Sequence, residues 1–463
     1  MLKPNQILYF DRFRSQVVHR LGGQVFDEFW LRTVLRESMR DEVIMEAVLG
    51  VGALAQALET APTNIPLFKT HLSSLASNSH YRHGLRHYTA ALAKVRQRIE
   101  GSMRADDLVQ RTILIVTNLF TVFETIHGNS KSVDRLLANG VSVINEKAAQ
   151  QGPSKSLSKP FLSSRYDDQG AEDAELLLIR RACLVNLYSP FSSMGKDSLL
   201  TYPIDFTNAP SPPDIAESSE LFRRMYTQFS MMPMIWFVHI EARIKANPAA
   251  YYDPQLRQEQ QYLLATNNSW NVEAERRLET ERDPRTRSLL KQIFLSTKVL
   301  KVAYWTAFGT AESTADKIKF KEDTDEIFSL AEALVAETPP AQTGESDIYD
   351  GVQAIVIGIS QAYHDLAMRA RALGLLKRLL NAHSRWAAKA IFMGSSALLA
   401  VEEARRGKGG EITGNLKYFW SDAAWSDDYS ELRLEFSSRA SWSEDGQLEK
   451  KKLVLRPKDC DLA

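Results

Sequence analysis

Three histidines, His80, His83 and His87, stand in the order H-x2-H-x3-H. On a helix that spacing brings imidazoles to one side, as metal-ligand sets often require. No carboxylate or cysteine lies at ligand spacing beside them, and the neighbouring Tyr88 suits a polar helix face better than a metal centre. Gly50-Val51-Gly52 lacks the preceding strand and the further glycine of a dinucleotide loop, so it reads as helix packing. His239-Ile240-Glu241 has the H-x-E order of zinc deaminases without their P-C-x-x-C, and the match is chance. The G-x-S-x-G, H-E-x-x-H and G-x-x-x-x-G-K-[ST] signatures do not occur. No catalytic, cofactor-binding or metal-ligating residue is therefore assigned, no cofactor is implied, and a non-enzymatic role is expected.

Bulk properties narrow the partners. Lys plus Arg and Asp plus Glu are 57 each, so no net positive field favours nucleic acid or an anionic membrane. Cys183 and Cys460 cannot make a four-ligand structural zinc site, and they give no sign of an oxidising compartment. A reduced intracellular setting is expected. The opening MLKPNQILYFDRFRSQ has no apolar signal-peptide core, and no window approaches the ~18 apolar residues of a membrane span. Hydrophobic residues are 44% and charged residues 25% of 463, the composition of a folded globular protein. Arg180-Arg181, Arg223-Arg224, Arg369 to Arg371 and Lys450 to Lys452 are short, dispersed basic groups that read as solvated faces.

Helical periodicity dominates the elements that would position these residues. Ile44, Val48, Val51, Ala55 and Leu58 recur at helical spacing, as do Leu85, Tyr88, Leu92, Val95 and Ile99. Val133, Leu137, Gly140, Val141 and Ile144 continue the pattern, with Gly140 allowing a neighbouring helix to come close. Residues 1–150 form one helical part, and the Ser-, Gly- and Pro-rich 151–173 reads as a linker or mobile loop. Residues 174–463 resume with helices over 174–189, 219–246, 285–312 and 323–337 and a longer helical region over 350–406. Pro233 predicts a kink or break, and Gly374, His383 and Ser384 suggest that the long region holds two or more antiparallel helices. Leu432, Leu434 and Phe436 alternate with charged residues, Asp445-Gly446 signals a tight turn, and Leu453 and Leu455 alternate again. The fold class expected is all-α, a large array of antiparallel helices with a small C-terminal β-hairpin.

Within the first part, ILIVTNLFTVFETIHGNSKSVDRLLANGVSVI places Phe123-Glu124 and Gly128-Asn129 between two apolar helices. Upstream lie Phe29-Trp30, the Ala47 to Leu54 helix and GLRHYTAALAKVR with Tyr88 and Ala91. Downstream come MRARALGLLKRLLNAHSRWAAKAI, Glu402-Glu403 and the closing ELRLEF…KKKLVLRP. In order and spacing these segments resemble the regulatory region of fungal zinc-cluster transcription factors, over nearly the whole chain. The resemblance implies a nuclear transcriptional regulator acting through a regulatory protein partner or small-molecule effector, with metabolic or secondary-metabolite biosynthetic genes as targets and a homodimer as one assembly.

The family's six-thiolate binuclear zinc cluster has no counterpart in this sequence, so DNA would be reached only indirectly or through a zinc cluster lying outside it. A non-transcriptional interaction scaffold is the alternative reading, and an enzyme without a recognisable motif the third. Trp236, Phe237, Trp305 and Trp386 are the candidate groove residues, while Glu124 and Asn129 are expected to fix a helix-turn-helix junction by hydrogen bonds.

Overall fold

The computed structural model describes residues 3–21, 26, 28–60, 75–101, 107–127, 129–151, 169–188, 195–246, 253–307, 314–337, 351–362, 366–380, 386–404, 418–426, 430–438 and 450–456. Among them are fifteen α-helices and one three-stranded antiparallel sheet, so the chain is all-α with a small C-terminal β element. The helices gather into two compact units. The first takes the chain to Asn186 together with Ser192–Pro203, and the second most of the chain from Ile204 on.

In the first unit, α1 (Pro4–Arg12) opens with proline at its first position, where the missing N–H costs nothing. Two π-helical turns, Phe13–Val17 and Phe29–Val34, turn Phe13, Val17, Phe29 and Trp30 into the core and lead to α2 (Leu35–Ser38). Asp41 caps α3 (Glu42–Glu59) by accepting a 2.8 Å hydrogen bond from the Val43 amide. This helix is buried almost all round, because it packs on α1, on α4 (Ser79–Gly101) and on α5 (Asp107–His127). Then follow α6 (Ser130–Gln151), α7 (Gln169–Tyr188) and the short α8 (Gly195–Leu200).

Small residues set these distances. A Cβ on Gly52 would lie 2.0 Å from the Tyr9 carbonyl oxygen, and one on Gly84 would lie 3.3 Å from the Gly50 carbonyl oxygen. Gly50-Val51-Gly52 is thus a packing surface. Gly140 likewise lets α6 approach Leu178 of α7. Close approach also rotates α4 from its predicted stripe. Its fully buried positions are Tyr81, Gly84 and Ala91, while Leu85, Tyr88, Leu92 and Val95 are half-buried and Ile99 is exposed. The 151–173 stretch gives Gln151 to α6 and residues from Gln169 to α7, and 152–168 lie outside the described residues. Since α7 belongs with the first unit, the division falls after it rather than before it.

The second unit contains α9 (Ser219–Ala246), α10 (Pro254–Thr280), α11 (Pro284–Ala307), α12 (Thr314–Glu337), α13 (Gly351–Ala362), α14 (Leu366–Leu379) and α15 (Trp386–Glu403). Helix α9 runs through Pro233 without ending there. The buried Met232, Met234, Ile235 and Trp236 around it provide packing that outweighs the one lost backbone bond. Gly374 lies inside α14 instead of between helices, and His383 and Ser384 lie outside the described residues. A shared core of Leu295, Val302, Phe328, Val356, Leu376 and Ile391 joins α11 to α15.

Strands β1 (Tyr418–Trp425), β2 (Leu432–Ser438) and β3 (Lys450–Leu455) form the sheet in that order. Leu434 pairs with Leu453 and Glu435 with Lys452, in the register that the alternation implies. Leu432, Leu434 and Phe436 pack on Ala390, Met393 and Val401 of α15. The expected hairpin is β2–β3, to which β1 adds a third strand; Asp445-Gly446 lies outside the described residues.

Candidate functional site

The three histidines do share a face of α4, and that face meets Tyr9 of α1. The Tyr9 ring centroid lies 5.7, 6.0 and 6.3 Å from those of His80, His83 and His87. Asn78 starts the helix beneath them by accepting from the His80 amide at 2.8 Å. The buried Tyr9 hydroxyl is 3.0 Å from Nδ1 of His80 and 3.0 Å from Nδ1 of His83. His87 Nδ1 is 2.6 Å from Glu46 Oε2, and Lys94 bonds both Glu46 and Glu42. Burial lowers the His83 pKa below its ordinary value, and the charges of Arg86, His87, His80 and Arg82 lower it further. Among the described residues no group of three or more His, Cys, Asp or Glu is arranged to hold a metal ion. The Nδ1 atoms of the three imidazoles are taken by a phenol and a carboxylate.

A second polar knot lies one turn along. Tyr88 Oη donates to Glu124 Oε1 at 2.6 Å, while its ring stacks on Phe123 at 4.3 Å and 12°. His127 Nδ1 stands 3.7 Å from Glu124 Oε2, too far for a hydrogen bond but close enough for coulombic attraction, and His127 Nε2 is 2.8 Å from Tyr81 Oη. Burial pushes the Glu124 carboxyl up, but His127, Tyr88 and Asn129 outweigh it and hold its pKa below the ordinary value. Burial, then Glu124, drives the Tyr88 phenol far up. Asn129 caps α6, its Oδ1 accepting from the Ser132 amide at 3.3 Å and its own amide donating to the Glu124 carbonyl at 2.9 Å. Glu124 and Asn129 therefore tie the junction of α5 and α6 to α4; Gly128 lies outside the described residues.

In the second unit the candidate aromatics divide. Trp236 is core, its Nε1 donating to Glu259 Oε2 at 3.2 Å, and Gln255 Nε2 holds the other oxygen at 3.1 Å. Burial raises the Glu259 pKa despite Arg243 and these two donors, with Asp253 adding to the rise. Half-buried Phe237 stacks on Tyr304 at 5.6 Å and 27°, and half-buried Trp305 lies 4.8 Å from Lys301 Nζ. The side chains of Trp386 and Glu241 lie outside the described residues, and His239 meets Phe206 edge-on at 5.4 Å. Glu259 was not singled out in the sequence. Its signal was the spacing Leu256, Glu259, Leu263, Thr266, Trp270, which is helical but half polar.

Chemically, each knot holds side chains in fixed positions, and Phe237 and Trp305 are half-buried aromatics, the latter beside a Lys301 that pairs with Asp323 at 2.9 Å. No family model, curated protein or solved structure matches this chain. Among the described residues no helix is long and apolar enough to cross a membrane.

Proposed function

We propose that this chain is a non-enzymatic transcriptional regulator, a nuclear helical array that binds a protein partner or small effector and changes the output of a DNA-bound complex. One observation carries the reading. The first-part segments that resemble the regulatory region of fungal zinc-cluster factors lie in one compact unit: Phe29 and Trp30 are buried, Ala47 to Leu54 lie in central α3, and Tyr88 closes on Phe123 and Glu124 beside the Asn129 cap. The charge balance of 57 against 57 supports indirect contact with DNA, because a phosphate-binding surface would need a net cationic field. Half-buried Phe237 and Trp305 supply the kind of aromatic surface that a partner or small effector would pack on, while the Lys301 ammonium beside Trp305 is held by Asp323 at 2.9 Å.

Deleting the gene and tagging the protein test the reading together. Nuclear accumulation with loss of a coherent transcript set, expected in a metabolic or biosynthetic cluster, is the predicted result. A cytoplasmic protein whose loss changes no transcripts would overturn it in favour of a scaffold. In a gel shift the purified chain should give no salt-resistant, sequence-specific complex.

A further inference from the structure

We propose that Tyr9, His80 and His83 form a proton-counting latch, which holds α1 on α3 and α4 at neutral pH and releases it as pH falls through the histidine range. The inference goes beyond the regulatory reading and stands on hydrogen-bond arithmetic. A phenol has one proton to give, yet Tyr9 Oη meets two Nδ1 atoms at 3.0 Å each. Among the described residues no other hydrogen-bond partner reaches that hydroxyl, and Tyr9 is buried. Both contacts are hydrogen bonds only when one imidazole carries its proton on Nδ1 and the other on Nε2. The first donates to Oη, and the second accepts from it.

Acid acts on this pair in two steps. An imidazolium keeps its Nδ1–H, so the donor histidine can take a proton without losing a bond. The second proton removes the only acceptor for the Tyr9 hydroxyl and sets two cations on one phenol. Arg82 and Arg86 of α4 add to that repulsion. The facing carboxylates do not relieve it: Glu46 of α3 is held by His87 and Lys94, Glu42 by Lys94, and Glu59 by Arg12 of α1, while Asp11 of α1 pairs with Arg14.

The sign follows from linkage. Docking favours the less protonated imidazoles, so it is at full strength above the free histidine pKa of about 6.5 and weakens below it. Beneath α1 lie Leu49 and Ala53, packed on Tyr9, and Gly52, whose missing side chain admits the Tyr9 backbone. Release would expose this strip.

Two measurements on the full chain decide the matter. Nitrogen-15 histidine labelling with long-range proton–nitrogen correlation at about pH 7.5 should show His80 and His83 in opposite tautomers, an arrangement that packing alone does not require. Hydrogen exchange of the α1 amides, corrected for intrinsic chemistry, should report opening that rises about tenfold between about pH 7.5 and about pH 5.5. A His80→Gln/His83→Gln chain should lose that rise. Like tautomers at both positions, pH-independent opening of α1, or an undiminished rise in the double variant would each overturn the latch.

Discussion

Both units bury large rings, Trp30, Phe13, Phe29 and Phe123 in the first and Trp236 and Trp270 in the second, but they differ in what else sets their helix contacts. In the first, glycine lets backbones touch, and short polar contacts fix the register: Gly52 under Tyr9, Gly84 against Gly50, and the Tyr9 and Glu124 knots above them. In the second, large rings gather on one another. Trp236, Trp270, Tyr304, Phe222 and Phe229 are all buried, and Trp270 lies among Phe222, Tyr226 and Phe229 with centroids 5.2 to 5.7 Å away. At its glycine contacts the first unit should therefore be sensitive to added atoms, and at the Trp270 cluster the second should be sensitive to removed ones. Hydrogen exchange read by peptides of each unit can separate the two responses, which a single unfolding curve of a two-unit chain would merge.

The largest effect is expected at Trp270→Ala. The change empties a fully buried ring site and leaves the Pro210 carbonyl without its 2.8 Å indole donor, so local stability of the second unit should fall by about 4 kcal/mol. Peptides of the first unit should keep their protection, and equal loss in both would break the contrast. Next comes Gly52→Ala. One methyl placed 2.0 Å from a backbone oxygen cannot be absorbed by a rotamer change, so α1 must move and the first unit should lose about 3 kcal/mol. Wild-type protection in the α1 peptides of this variant would show that the contact is not tight.

How much of this was legible depended on what each buried face is made of. Helices α3 and α6 could be read because Ile44, Val48, Val51 and Ala55, and then Leu137, Val141 and Ile144, are apolar and buried at helical spacing. Helix α10 could not, since Glu259, Thr266, Asn267, Glu273 and Arg277 stand on its buried face, and Glu259, Asn267 and Arg277 find partners elsewhere in the chain. Those partners give polar residues a core role that periodicity cannot show. Strand β1 was missed for a related reason: YFWSDAAW has no strict alternation, and a register shift between Trp420 and Asp422 breaks what there is. The H-x2-H-x3-H spacing did place three imidazoles on one face. What it could not give was Tyr9, more than seventy residues upstream, which determines what two of them bind.

A smaller effect is expected at Glu124→Gln. The charged acceptor of the Tyr88 bond becomes a neutral one, and the attraction to His127 is lost, at a cost of about 2 kcal/mol near neutral pH. Because the folded-state pKa of Glu124 is depressed, its contribution is complete above the ordinary value of 4.5 and is lost as pH falls through the folded value. The variant and the wild type should therefore converge in stability as pH falls from 4.5 through the folded value. Urea unfolding across that range checks it, and a constant difference at every pH would mean that the charge is irrelevant.

The smallest expected effect reverses sign between the units. Gly374 lies on the exposed face of α14, and nothing stands within 4 Å of where its Cβ would be. Gly374→Ala should stabilise the second unit by about 1 kcal/mol, the difference in helix propensity alone. At Gly50 the same methyl would lie 3.3 Å from the Tyr88 amide nitrogen and 3.5 Å from the Gly84 carbonyl oxygen. Backbone atoms cannot step aside as a side chain can, so the propensity gain should be cancelled or outweighed there. Hydrogen-exchange protection of the α14 peptides in one variant and of the α3 peptides in the other gives the comparison directly, because both make the same chemical change in the middle of a helix. If both rise, α3 and α4 have slack at their crossing, and the glycines of the first unit are not what holds those helices close.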